Sequence, residues 1–234
     1  MQNETVSDYT GTDNLEVMAE AVNYNAFLHA QVAARARTGD RILDFGAGIG
    51  TFARELARRG FEVACLEPDP RQARRLAAAG LPVVGDLGEV PDASFDYVYT
   101  SNVLEHIDDD CAAMRQLAAK LRPGGRLFVY VPAFQALYSS MDRKVGHVRR
   151  YRREGLATLV AGAGLGDVHA RYVDSLGFLA ALAYRVFGND RGDIDRRALR
   201  AYDRWVFPLS RVLDAVAGRW FGKNVLLTAD KPMS

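Results

Sequence analysis

The chain has 234 residues, 49% hydrophobic and 25% charged, enough for one sizeable core with at most a small cap. Its 30 basic side chains against 29 acidic ones leave a formal charge of +1, so no overall field gathers nucleic acid or an anionic membrane. The two cysteines, Cys65 and Cys111, have neither metal-ligand nor disulfide spacing, which predicts packing thiols in a reducing compartment and no metal centre.

Residues 1–13 are polar and carry no secretory signal, and no stretch reaches the ~18 apolar residues of a membrane span, so a cytoplasmic protein is expected. Over 15–37, Leu15, Met18, Val22, Phe27 and Val32 fall at helical spacing, and Gly39 stops that helix. The stretch 41–52 reads RILDFGAGIGTF. Ile42, Leu43 and Phe45 suit a strand buried on both faces, and the glycines at 46, 48 and 50 let backbone approach a ligand before a helix over 51–59. A second strand, 61–67, ends in Glu67, where a strand, turn, helix, strand unit that binds a nucleoside places its ribose-hydroxyl acceptor.

Onward, the pattern predicts a helix at 70–79, strands at 82–85 and 95–100, a helix at 108–121 and a strand at 126–131, the last entered through Arg122-Pro123-Gly124-Gly125. A helix at 153–162, a strand at 166–173 and a final strand at 224–229 complete the alternation. The expected architecture is α/β: a doubly wound, Rossmann-like, mainly parallel seven-stranded sheet with helices on both faces and a helical insertion before the last strand. As units we expect an N-terminal helical cap (1–38), a ligand-binding core (39–173), the insertion or lid (174–221) and the final strand (222–234), all in one domain.

Within the insertion, apolar residues from Ile194 to Val216 repeat at helical spacing, with Pro208 expected to break or kink the run. Seven arginines against five aspartates over 190–220 are a weak bias for a membrane-surface helix, so intramolecular packing or a homodimer contact is the expectation there. Downstream of the fifth strand, DRKVGHVRRYRR (142–153) interleaves His147 and Tyr151 with arginines. Such a cluster either binds an anionic acceptor through arginine forks or is a solvated loop.

Taken together, DFGAGIG, CLEPD, GDLGEVPDASFDYVYTSNVLEHI and LRPGGRLFVYVP, in that order and at those separations, resemble the class I S-adenosylmethionine-dependent methyltransferases over about 40–173. The resemblance implies S-adenosyl-L-methionine as cofactor. Asp44 and the backbone at Gly46 and Gly48 would face its amino-acid end, Glu67 would accept the ribose hydroxyls, and Pro68 would line the adenine. Asp86 with the backbone at Leu87 would meet the adenine edge, and Asn102 would lie beside the methionine portion. As catalytic candidates it implies His106 of the LEH triplet, His147 and Tyr24, and as acceptor contacts Tyr138, Arg149, Arg150 and Tyr151. Tyr9 and Asn25 could also close the pocket, whereas His29 and His169 read as structural.

The implied reaction is methylation of an oxygen or nitrogen on a small metabolite or natural-product intermediate, anionic ones included. No nucleic-acid partner is expected: the charge is near neutral, and Ser101-Asn102-Val103-Leu104 stands where a DNA enzyme of this kind has a Pro-Pro-aromatic tetrad. Two alternatives remain open on the sequence. One is an NAD(P)-dependent reductase, disfavoured by the G-x-G-x-G spacing, and the other is a non-catalytic partner protein of the same fold.

Overall fold

The computed structural model describes residues 17–187 and 191–233, so Tyr9 and the 1–13 lead lie outside the described residues. Seven strands form one sheet in the order β3-β2-β1-β4-β5-β7-β6. They are β1 (Arg41–Phe45), β2 (Glu62–Leu66), β3 (Val83–Val84), β4 (Phe95–Ser101), β5 (Leu121–Pro132), β6 (Gly166–Val173) and β7 (Asn224–Asp230). The sheet is mixed: β7 runs antiparallel to both β5 and β6, while the pairs among β1 to β5 are parallel.

The period of two along each strand sorts the core into two layers. Leu43, Phe45, Val98, Leu127 and Val129 pack on one face with Met114 and Leu117 of α4 (Asp110–Lys120) and with Leu156 and Val160 of α6 (Arg153–Gly162). On the other face, Ile42, Tyr97, Tyr99, Phe128 and Tyr130 pack with Leu28 and Val32 of α1 (Val22–Ala33), Leu56 of α2 (Thr51–Arg58) and Leu76 of α3 (Pro70–Ala78). The doubly wound arrangement follows directly from this alternation. A short α5 (Ser140–Val145) was not expected; Ser139 and Asp142 form a capping box at its start, a signal visible in SSMD once the turn is known.

Strand β5 begins earlier than the sequence pattern suggested. Its pairing with β4 jumps from Phe95↔Leu121 to Tyr97↔Arg126, so Arg122–Gly125 bulges out of the ladder, with Gly124 at φ 73°. The expected turn and the strand are therefore the same segment.

The insertion comprises α7 (Ser175–Phe187), α8 (Arg196–Ala201), a π-helical turn (Tyr202–Val206) and α9 (Phe207–Ala217). Pro208 does not break the run. It sits in the first turn of α9, and the wider π-turn just before it removes the clash its ring would make with a carbonyl four residues back. Asp174, at φ 64°, and Asp214 knit this segment to the sheet edge. Ser210 and Tyr202 donate to Asp174 at 2.9 and 2.5 Å, and the amides of Asp174 and Ser175 donate to Asp214 at 2.9 Å each.

The insertion also holds α1. Ala21 offers that helix no side-chain cap, and instead the buried Asp203 carboxylate accepts from the amides of Asn23 (2.9 Å) and Tyr24 (2.8 Å). A carboxylate on two orphan amides of a helix N-terminus supplies both the missing acceptors and the favourable charge.

Candidate active site

A cavity of about 750 Å³ opens at the carboxyl ends of β1, β2 and β4, where the strand order turns back on itself. The turn after β1 forms its floor. Gly46 has φ 80°, and a Cβ there would lie 2.3 Å from a Val103 methyl; at Gly50, φ 79°, it would lie 2.5 Å from Leu76. Both glycines are thus required by handedness and by contact with neighbouring elements.

Asp44 sits on the cavity wall only 3% exposed, and one of its carboxylate oxygens has no hydrogen-bond partner. Burial pushes its pKa up to about 7, partly offset by the Tyr99 hydroxyl and reinforced by the Glu67 charge. An unpartnered buried carboxylate facing a cavity suits a cationic ligand group. Glu67, also on the wall, accepts from the Gly48 amide through Oε2 (2.6 Å) and from the Asp69 amide through Oε1 (2.9 Å). Burial raises its pKa and these two amides counter the rise. Each oxygen keeps a lone pair for a further donor, the geometry a vicinal diol needs.

Asn102 is a non-glycine residue at φ 55°, fixed by its amide bonding the Tyr130 carbonyl at 2.8 Å, and it lines the cavity with Pro68. Across from it stands Tyr24 on α1, its ring edge-on to Tyr130 and its hydroxyl facing Tyr130 and Asn102. Burial raises the Tyr24 phenol far above its ordinary range, so it is a donor and not a base. Asn25 joins Tyr24 on the wall, whereas the ring of His29 rests 4.9 Å from that of Phe52.

His106 reaches the wall from the short 3₁₀ turn Leu104–His106. Burial, then the neighbouring His147, lower its pKa to about 4, so it is neutral at physiological pH. The two rings meet edge to face with centroids 4.7 Å apart. His147 itself stands behind His106, not among the cavity walls; its Nδ1 pairs with Asp142 at 2.7 Å and its Nε2 lies 3.7 Å from Glu105. Glu105 is fully buried with neither carboxylate oxygen hydrogen-bonded, and burial raises its pKa to about 8. The ligand-capable atoms of Glu105, His106 and His147 all lie within 4.8 Å of one another, a cluster that sequence spacing did not reveal.

Several expected site residues do not line the cavity. Asp86 caps the 3₁₀ turn Leu87–Glu89, accepting from the Gly88 amide at 2.7 Å, and Leu87 is buried in the core, so neither reaches the cavity wall. The arginine forks are already engaged. Arg150 pairs with Asp142 through two nitrogens at 2.8 and 2.9 Å, Arg149 pairs with Asp110 at 2.8 Å, and the Tyr151 hydroxyl lies 2.8 Å from the same Asp110. Tyr138 donates to the His147 carbonyl at 2.7 Å. These four residues build the backing of His106 and do not line the cavity. Cys111 is exposed and not packed, unlike the buried Cys65. Wall residues the sequence did not single out include Gln72 and Arg74 of α3 and Leu28 of α1, whose helical patterns read only as packing or solvation.

Residues 14–170 match a family model described as a methyltransferase domain. The chain belongs to this methyltransferase family. Among curated relatives, a ubiquinone biosynthesis O-methyltransferase of Xanthomonas euvesicatoria is 36% identical over 101 residues, 39% of this chain and 42% of the relative. An uncharacterized methyltransferase of Mycobacterium sp. (strain JLS) is 41% identical over 101 residues, 41% of this chain and 40% of the relative. The methyltransferase thus spans less than half the length of the curated relatives it matches.

Solved structures share its fold. A SAM-dependent methyltransferase from Archaeoglobus fulgidus superposes with TM-score 0.61 at 17% identity, covering 88% of this chain and 94% of that one. Phosphoethanolamine N-methyltransferase 2 of Haemonchus contortus, bound to S-adenosyl-L-methionine, gives TM-score 0.64 at 20% identity, covering 99% of this chain and 61% of that one. The methyltransferase family uses S-adenosyl-L-methionine, and the nicotinamide reading gives way to the family match. The unpartnered Asp44 oxygen, the two-amide Glu67 and the glycine floor fit the ammonium and ribose of that cofactor.

Proposed function

We propose that this methyltransferase methylates an oxygen or nitrogen of a small metabolite that enters the same cavity as the cofactor. The observation that carries this reading is His106. It is a neutral imidazole on the wall of the cavity that Tyr24 and Asn25 of α1 also line, so a bound acceptor and a proton acceptor would share one space. A cavity of about 750 Å³ suits a compact acceptor better than a polymer.

When bound, the cofactor supplies a methyl group already activated by its sulfonium. The residues that would hold it are Asp44 at the ammonium, Glu67 at the ribose hydroxyls, and Pro68 and Asn102 along its length. For a hydroxyl acceptor, His106 on the cavity wall would take the proton that the acceptor gives up on methylation. Tyr24 donates a hydrogen bond that orients the acceptor. His147, Asp142 and Arg150 act behind His106 by fixing its ring. Arg149 and Arg150, held in internal ion pairs off the wall, lend no support to an anionic acceptor, although Arg74 of α3 stays on that wall; phenols, alcohols and amines are the first class to examine.

The test is methyl transfer from labelled S-adenosyl-L-methionine to a panel of small phenols, alcohols, amines and carboxylates, with S-adenosylhomocysteine binding measured by calorimetry. Turnover on a hydroxyl or amine acceptor that His106→Ala abolishes, with cofactor affinity intact, supports the reading. Turnover unaffected by His106→Ala sinks the assignment of the base.

A further inference from the structure

Helix α9 buries Phe207 and Ala217 and still turns large apolar side chains to solvent. Its inward face carries Ser210 and Asp214, both buried and bonded to Asp174, Ser175 and Leu176, while Leu209, Val212 and Val216 point outward. With Trp205 before the helix and Trp220 after it, these residues are 60 to 74% exposed and recur as one stripe along the helix. Leu179, Leu182, Val186 and Phe187 extend the exposed apolar surface onto the neighbouring α7. Water is a poor solvent for such a face, and a patch of this kind marks an interaction site.

The charges around it favour one occupant. Over the insertion, Asp203 and Asp214 are buried in internal bonds, Asp195 caps α8 and Asp193 pairs with Lys144. These four acids are buried or locally engaged, and among the arginines Arg196 and Arg200 pair with Glu20 and Arg211 with Asp214. What borders the stripe are arginines: Arg204 lies over the Trp205 ring at 4.9 Å and Arg219 over the Trp220 ring at 5.9 Å. Tryptophan with a guanidinium at its edge, beside aliphatic side chains, matches the boundary between lipid tails and charged headgroups. A second copy docking on this face by a two-fold axis would bring the same arginines together.

We propose that the outer face of α9, with α7 beside it, is a docking surface for an anionic phospholipid bilayer, lying in the headgroup layer. No helix among the described residues is long and apolar enough to cross a membrane, and the proposal requires none to. It is independent of the acceptor assignment above.

The chain's two tryptophans both border this face, so its intrinsic fluorescence reports the event directly. Adding vesicles of phosphatidylcholine and phosphatidylglycerol (3:1) to the full chain should shift emission to the blue. Brominated acyl chains should quench it, and added salt should weaken binding. Leu209→Ser with Val212→Ser and Val216→Ser should lower the partition coefficient at least about tenfold, with circular dichroism and S-adenosylhomocysteine affinity unchanged. Arg204→Gln with Arg219→Gln should weaken binding to the charged vesicles only. An unchanged emission with charged vesicles, or equal binding to pure phosphatidylcholine, overturns the proposal. So does a blue shift that grows with protein concentration without lipid and accompanies a dimeric mass in sedimentation equilibrium.

Discussion

Glu67 spends each of its carboxylate oxygens on one backbone amide, at 2.6 and 2.9 Å, and so fixes the glycine turn as well as facing the cavity. Glu67→Ala removes both functions. Its expected effect is a rise of about a hundredfold in the S-adenosylhomocysteine dissociation constant, roughly 2.7 kcal/mol, read by calorimetry. His106 is placed for the chemical step alone. His106→Ala should lower kcat by about 10²- to 10⁴-fold with the cofactor dissociation constant nearly unchanged. With the pKa lowered to about 4, the acid limb of the kcat/KM profile belongs near that value; a limb at an ordinary imidazole value would remove His106 from the role.

The buried Glu105 gives a stability prediction whose sign follows from its raised pKa. Its carboxyl is raised from 4.5 to about 8 by burial, so the folded state holds a proton there that the unfolded state releases. Its favourable contribution is complete below pH 4.5 and is lost as pH rises toward about 8. Glu105→Gln should therefore leave the melting temperature unchanged at pH 4 and raise it progressively up to pH 8, the gain in unfolding free energy reaching the order of a few kcal/mol. A melting difference that does not vary over that range would contradict the assignment.

Among elements, α1 is the one whose position depends on a distant segment. Asp203 caps it, and its residues Tyr24, Asn25 and Leu28 line the cavity. Asp203→Ala is expected to destabilise the fold by about 1 to 2 kcal/mol, as lost helix caps do, and to raise the KM for the cofactor more than it lowers kcat. Thermal melts and steady-state kinetics check both halves. No described residue of 174–221 lines the cavity, yet that segment holds the helix that does.

Legibility differed by element for physical reasons. Asp44, Glu67, Pro68 and Asn102 stand in the last positions of β1, β2 and β4 or just beyond, and His106 in the 3₁₀ turn that follows β4; all five line the cavity. Arg149 and Arg150 do not, because a run of charges does not disclose its partners: Asp142 lies eight residues away and Asp110 across a strand and two helices. Asp86 followed its local turn chemistry, and the cap of α1 was invisible because 180 residues separate donor and acceptor.

At the scale of the molecule, the sheet order places the last strand inside the sheet, with β7 between β5 and β6. During synthesis β6 emerges about fifty residues before the strand that joins it to the rest, and the insertion that caps α1 emerges in the same interval. The cofactor cavity therefore cannot be completed progressively from the amino end. A nascent chain halted before Asn224 would carry every residue that lines the cavity and still lack the strand that joins β6, and through it the insertion, to the rest of the sheet, so binding competence should switch on late, within the translation of a single strand.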